Sequence, residues 1–290
     1  MDSDALIERT VERAVAVSEG AFAPPKLEAA IRHAVFPGGA RVRPQLCLAV
    51  AQACGGEEDL ACAAGAAAAI ELLHCASLVH DDLPCFDGAD MRRGKAAVHV
   101  AHGEPLAVLT GDALIVMAFE TLLRECGGAP VIMRALMSIM TRAIGPPNGI
   151  IAGQAWESEE EIDLVAYHRA KTGALFVAAA CAGAASVGAD EGPWREVGER
   201  LGEAYQIADD INDFTMETSA LGKPAGQDAA NARPNAVDVL GFDGAVDQLN
   251  DLVTDAADAV PDCAGAPSLR ALVYAQAKRL SPNNVAGAPV

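Results

Sequence analysis

Aromatic residues are scarce in this chain: seven Phe, three Tyr and two Trp make up 4% of 290 residues. With so few strand-favouring aromatics and with alanine runs such as Ala66–Ala69, helices are favoured over sheet for the core. Positive charge is also scarce. Lys and Arg number 21 against 40 Asp and Glu, a formal net charge of -19. That balance disfavours non-specific binding to nucleic acid or to an anionic membrane. It also means that any site for an anionic ligand must assemble its own local positive charge. None of the eight cysteines forms a Cys-x-x-Cys pair, which removes support for zinc or dithiol redox chemistry. Most sit in Ala-rich stretches, as small buried thiols do in a reducing cytoplasm. Uninterrupted membrane-length apolar runs are lacking too. Leu60 to Val79 carries Glu71, and Leu106 to Leu123 carries Asp112 and Glu120, so no membrane span is expected. Met1 to Val15 mixes charged with apolar residues and has no signal-peptide core.

Repeats and long linkers are likewise lacking, which predicts one helical domain over 1–290, its tail at 281–290 frayed by Pro282, Asn283, Asn284 and Pro289. Leu60 to Val79 and Ala107 to Leu123 read as helices buried on most sides. Ala174 to Val187 reads as a close-packing alanine helix, and Trp194 to Phe214 as a further long one. Phe36-Pro37-Gly38-Gly39, Gly145 to Gly149 and Asp190 to Pro193 read as turns.

Two aspartate clusters stand out. Asp81-Asp82-Leu83-Pro84-Cys85-Phe86-Asp87 follows an apolar helix. Charge at the end of a buried helix is costly unless it is paired, solvated or bound to metal. Pro84 should end the helix, letting Asp87 turn back towards Asp81. Asp209-Asp210-Ile211-Asn212-Asp213 lies within a helix, with Asp209 and Asp213 on one face. Carboxylates that repel on a shared face suit Mg²⁺, which takes a few carboxylates and fills its shell with water and phosphate oxygens. A solvated polar face is the plain alternative for each cluster alone. Two in one chain point to a diphosphate gripped through shared metals. The basic residues agree: Arg41 and Arg43 follow the Pro37-Gly38-Gly39 turn, Arg92, Arg93 and Lys95 follow the first cluster, and Lys171 and Lys223 stand in Lys-Thr-Gly and Gly-Lys-Pro. Arginine's planar fork matches phosphate oxygens.

These residues resemble the trans-isoprenyl diphosphate synthase family. Leu78 to Asp87 with Met91 to Lys95 is similar to its first aspartate-rich motif, and Gln206 to Asp213 to its second. Gly38 to Pro44, Gly153-Gln154, Lys171-Thr172-Gly173 and Gly222-Lys223 match in order, so the likeness runs from about Gly38 to Gly241. Gly153 to Ser158 and Arg233 to Val237 are most similar to the geranylgeranyl diphosphate synthases of bacterial carotenoid and bacteriochlorophyll pathways. The resemblance implies an all-α isoprenoid-synthase bundle around a deep central cavity, a homodimer, and several Mg²⁺ ions per site. Asp81, Asp87 and Asp209 are then the expected ligands, with Asp82, Asp210 and Asp213 close by. Arg92, Lys171 and Lys223 would hold an allylic diphosphate. Arg43, His74 and Arg93 would hold isopentenyl diphosphate, with Arg41, Thr172, Gln154 and Gln206 as further substrate contacts. The family's Gly-Gly-Lys-Arg reads Gly-Gly-Ala-Arg here, Ala40 replacing lysine, and Glu157 stands where Asp is common.

The implied reaction extends an allylic diphosphate by one C5 unit with release of diphosphate. The growing chain should pass Ala76 and Ser77, five and four residues before Asp81, roughly 6–7.5 Å below the metals at the helical rise. Both are small, which favours a C20 over a C15 product, with Leu72 and Leu73 or Met117 and Phe119 as the floor. A farnesyl diphosphate synthase and a non-catalytic partner subunit are the alternatives. The second Asp cluster disfavours a terpene cyclase.

Overall fold

The computed structural model describes residues 2–17, 23–56, 60–215 and 235–280. Gly222-Lys223, Arg233 and the tail at 281–290 lie outside the described residues. The architecture is helical. α1 (Ser3–Ala16), α2 (Pro25–Val35) and α3 (Val42–Ala53) lead into α4 (Ala61–Asp81). Then follow α5 (Val98–His102), α6 (Glu104–Cys126), α7 (Pro130–Ile144), α8 (Ile150–Ala155) and α9 (Leu164–His168). A π-helical turn (Arg169–Gly173) runs into α10 (Ala174–Ser186). The last three helices are α11 (Trp194–Thr215), α12 (Ala236–Asp258) and α13 (Ala266–Leu280).

α4 is the axis of the bundle. It is apolar on nearly every face and packs against α1, α3, α6 and α10. Its alanine run lets neighbours approach closely, and Ala66 to Ile70 are fully buried. By length and composition α4 and α6 are each apolar enough to cross a membrane. α4 is instead a core helix, buried over most of its length. Its one internal charge, Glu71, is 2% exposed and paired with Arg41 Nη1 at 2.5 Å. A second apolar cluster, Ala204, Ala208, Ile211, Val237, Leu249 and Val253 among it, joins α11, α12 and α13. Cys47 and Cys75 are buried packing groups, and burial pushes each thiol up to about 12.

One element departs from an all-helical reading. Met91–Arg92 and Lys95–Ala96 pair as a two-stranded antiparallel hairpin. Arg93 (φ 52°) and Gly94 (φ 75°) are its two turn residues. Positive φ at both central positions is the geometry of a tight hairpin turn, and it explains the glycine. The hairpin is short, but it sets the directions of three basic side chains.

Candidate active site

The helix α4 ends at Asp81, and the next residues fold into turns around Pro84. The Asp87 N–H donates to the Asp81 carbonyl at 2.9 Å, so the chain does turn back on the helix end. One carboxylate oxygen each from Asp81, Asp87 and Glu157 then lies within 4.8 Å of the others. Glu157 comes from a single 3-10 turn, Trp156–Ser158, just after α8. All three donors are hard oxygens, the set a small divalent cation prefers, so the residues fit a magnesium-type ion. Lys171 links two of these carboxylates, donating to Asp81 Oδ1 at 3.2 Å and to Glu157 Oε1 at 2.5 Å. Tyr167 OH donates to Glu157 at 2.7 Å, and Gln154 Nε2 to the Ser77 carbonyl at 3.1 Å. Burial raises the Asp81 carboxyl above its ordinary range, only partly offset by the Lys171 charge. Burial alone would lower the Lys171 ammonium, but Asp81 and Glu157 more than reverse that.

Lys171 reaches this position from the π-helical turn. Gly153 of α8 lies directly against that turn. A Cβ at position 153 would fall 2.4 Å from Lys171 N, so only glycine allows the approach.

Asp81, Asp87 and Lys171 line a cavity of about 300 Å³. A basic group lines it as well. Arg43 sits on the first turn of α3 with its guanidinium over Phe176 and Tyr205, 4.5 and 5.2 Å from the ring centroids. Its Nη1 approaches His74 Nε2 at 3.5 Å, and its Nε is buried without a hydrogen-bond partner. Burial, and then the neighbouring Arg43, Arg93 and Arg92, hold His74 well below its ordinary value, so the ring is a neutral acceptor. Burial also lowers Arg43 itself. An orphaned donor on a desolvated guanidinium is costly in isolation and is satisfied by an anion. Arg93 projects from the hairpin turn towards Gly39, whose missing Cβ leaves room for it; a side chain there would begin 3.0 Å from the guanidinium carbon.

The cavity wall gathers Arg43, His74, Ser77, Asp81, Asp87, Arg92, Arg93, Gln154, Lys171, Thr172, Gln206 and Asp209, all singled out from the sequence. Asp209 comes from α11, so both aspartate clusters do face one space. Other expected residues lie elsewhere. Asp82 is a step round α4 from Asp81 and is buried against Arg92, whose Nε donates to it at 3.0 Å. Asp210 is a step round α11 from Asp209. It accepts from Gln206 Nε2 at 2.9 Å and from Ala236 N at 2.8 Å, tying α11 to the start of α12. Asp213 is buried one turn beyond Asp209 and outside this wall. Arg41 is turned away from the cavity. It adopts φ 51° and donates to Glu8 at 2.7 Å and to Glu71 at 2.5 Å, and those bonds raise it despite burial. Ala40 and Arg41 instead border a separate cleft with Asp4 and Glu8. Ala76 is buried in the core and off the wall, whereas its neighbour Ser77 is on it. Leu72, Leu73, Met117 and Phe119 are core residues and not part of the wall. Lys223 lies outside the described residues.

Three polar residues at the site were not in the sequence-derived set: Glu157, Tyr167 and Tyr205. Glu157 had a signal, three residues after Gln154 in a stretch already singled out. The tyrosines had none, since only packing brings them here.

The helical fold and its acid-and-basic cavity agree with a family match. The polyprenyl synthetase family model matches residues 24–263, and the chain belongs to that family. Among characterised relatives, the geranylgeranyl diphosphate synthase of Cereibacter sphaeroides is 52% identical over 282 residues, 97% of each chain. That of Rhodobacter capsulatus is 48% identical over 280 residues, 97% of this chain and 96% of its own. Among solved structures, a geranyltransferase from Helicobacter pylori complexed with magnesium and isoprenyl diphosphate is similar, with a TM-score of 0.79 at 28% identity, covering 96% of this chain and 98% of that one. The chain thus has the isoprenoid-synthase fold.

Proposed function

We propose that this chain is a geranylgeranyl diphosphate synthase, condensing isopentenyl diphosphate with allylic diphosphates and releasing diphosphate. The observation that carries the reading is one cavity that brings the carboxylates of Asp81, Asp87 and Asp209 together with a desolvated Arg43–His74–Arg93 group. Two anionic substrates need two separate cationic anchors in an acidic protein. Asp81, Asp87 and Asp209 would hold Mg²⁺, with Glu157 beside them. When bound, the metal supplies positive charge to a departing diphosphate. Lys171 and Arg92 hold the allylic diphosphate beside Asp81, and Asp82 keeps the Arg92 fork in place. Arg43 and Arg93 hold the second diphosphate. As the allylic carbon–oxygen bond breaks, its electron pair leaves with the diphosphate. The double bond of isopentenyl diphosphate forms the new carbon–carbon bond, and a proton passes to the released diphosphate. Leu78 and Ile150 on the wall help keep water from the electron-poor carbon.

A C20 product rests on the likeness to the two geranylgeranyl diphosphate synthases and on small Ser77 on the wall; farnesyl diphosphate synthesis is the rival. We read 1–290 as one domain, because α11 supplies Trp194 and Val197 to one apolar cluster and Ala204 and Ala208 to the other. Eight free thiols suit a cytoplasmic setting. A homodimer is favoured by α6, where Leu109, Val116 and Leu123 recur every seven residues, 52, 66 and 60% exposed. Asp112 on the same helix is 61% exposed on its side chain, which fits a second copy of the helix better than lipid.

The test is elongation by the purified chain with Mg²⁺, isopentenyl diphosphate and dimethylallyl, geranyl or farnesyl diphosphate in turn, the products sized after dephosphorylation. A C20 alcohol is expected. A stop at C15 replaces the product, and no elongation with any primer removes the reading.

A further inference from the structure

A second cavity, about 550 Å³, lies on the far side of the π-helical turn and is larger than the catalytic one. The turn is the partition. Lys171 and Thr172 face the catalytic cavity, while Arg169, Ala170 and Gly173 face the second. Gln206 borders both. The floor of the second cavity is narrow and apolar, with Ala143, Ala174 and Val177 along it. Its rim carries Arg142, Arg169 and Arg195. None of the three is ion-paired among the described residues, in a chain whose carboxylates outnumber its cations 40 to 21. Arg142 comes from α7 and Arg195 from α11, both helices packed against α10, and both border this cavity. Of the two rim carboxylates, Glu203 is already engaged with Arg200 at 3.5 Å, leaving Glu199 facing the three guanidiniums.

We propose that this second cavity binds an amphipathic organic diphosphate, its head among Arg142, Arg169 and Arg195 and its chain along Ala143, Ala174 and Val177. Three guanidiniums match a head group of two to three charges, where a fatty acid offers one. The volume is that of a small-molecule site. The occupant nearest to hand is the long-chain allylic diphosphate that the reading above makes the product, and the inference rests on that reading for its name. Occupancy reports to the catalytic cavity through Gln206, which accepts from Thr172 Oγ1 at 2.7 Å and donates to Asp210 at 2.9 Å. A ligand against Arg169 and Gln206 therefore moves the segment that holds Lys171, and the product restrains its own synthesis without entering the catalytic cavity.

The experiment is a calorimetric titration with geranylgeranyl diphosphate, Mg²⁺ present and isopentenyl diphosphate absent, alongside steady-state inhibition by the same compound. The wild-type chain is expected to bind two equivalents, and inhibition to lower kcat at saturating substrate. The Arg142→Ala/Arg195→Ala variant should keep one equivalent, keep turnover within twofold of wild type, and lose the kcat component. Val177→Phe, which fills the apolar floor, should do the same with an unchanged melting temperature. One equivalent in the wild type, or two in both variants, overturns the proposal. Failure of the wild-type chain to elongate any primer removes the prenyl reading separately, and the binding arm then decides the site by itself.

Discussion

Asp81 and Asp82 are adjacent in sequence and opposite in circumstance. Asp81 faces Asp87 and Glu157 across the cavity, whereas Asp82 is spent on Arg92. Replacing Asp87 by Asn removes one charge from the cluster while leaving its size. We expect kcat to fall by about 10²–10³, the usual loss when one stabilising group aimed at developing charge is removed, read in the elongation assay with Mg²⁺. Ser77→Phe places a ring on the wall where Ser77 now stands, and the product should shorten from C20 towards C15, read by product sizing. His74 gives a pH prediction. Burial and the neighbouring arginines hold its folded value well below 6.5. As pH falls through about 6.5 the unfolded chain takes up a proton that the folded chain refuses, so stability declines with falling pH, by up to about 1.4 kcal/mol per unit. His74→Gln should lose that slope between pH 6.5 and 5, measured by urea unfolding; equal slopes for the two chains would remove the claim.

At the scale of elements, α4 carries both the core and the chemistry, and Glu71 is where the two meet. A carboxylate 2% exposed in the middle of an apolar helix is tolerable only because Arg41 is bonded to it, with Arg93 at 4.0 Å. Arg41 in turn ties α1 through Glu8. Glu71→Ala leaves a buried guanidinium half-satisfied, and we expect about 3 kcal/mol or more of lost stability, seen as a lower urea midpoint at constant slope. Arg41, expected from its motif to contact substrate, is bonded in this structure to Glu8 and Glu71 and lies off the cavity wall. The π-helical turn is the other decisive element. Five residues wound one step wide send Lys171 to one cavity and Arg169 to another, a division that a regular helix would not make in the same register.

The whole molecule is acidic, with a formal net charge of -19, and two of its arginines, Arg41 and Arg43, are buried. On the proposed reading, long-range repulsion of anionic substrates is offset locally by Arg43, Arg93 and Lys171, which line one cavity. The outer face of α6 is the opposite case, an apolar stripe on a charged surface. Val116→Arg should convert a dimer to monomers in sedimentation velocity with the helical content unchanged. A wild-type chain already monomeric at micromolar concentration would remove the dimer.

Much of this molecule was legible in its sequence. The helices around Leu60 to Val79, Ala107 to Leu123, Ala174 to Val187 and Trp194 to Phe214 follow from apolar periodicity, a local property of the chain, and the structure has all four. The turn of Asp87 back on Asp81 follows from Pro84, again locally. Twelve of the residues singled out share one cavity, because the motifs are ordered along helices whose ends converge. What the sequence could not decide is which side of each helix faces that cavity. Asp82, Asp210 and Ala76 differ from Asp81, Asp209 and Ser77 by one residue, about 100° of rotation, and only the packing of α4 and α11 against their neighbours sets that angle. The same is true of Glu157, Tyr167 and Tyr205, whose partners are remote in sequence or meet them across a turn. Local chemistry is written in the order of residues; facing is a property of packed elements, and only the tertiary structure decides it.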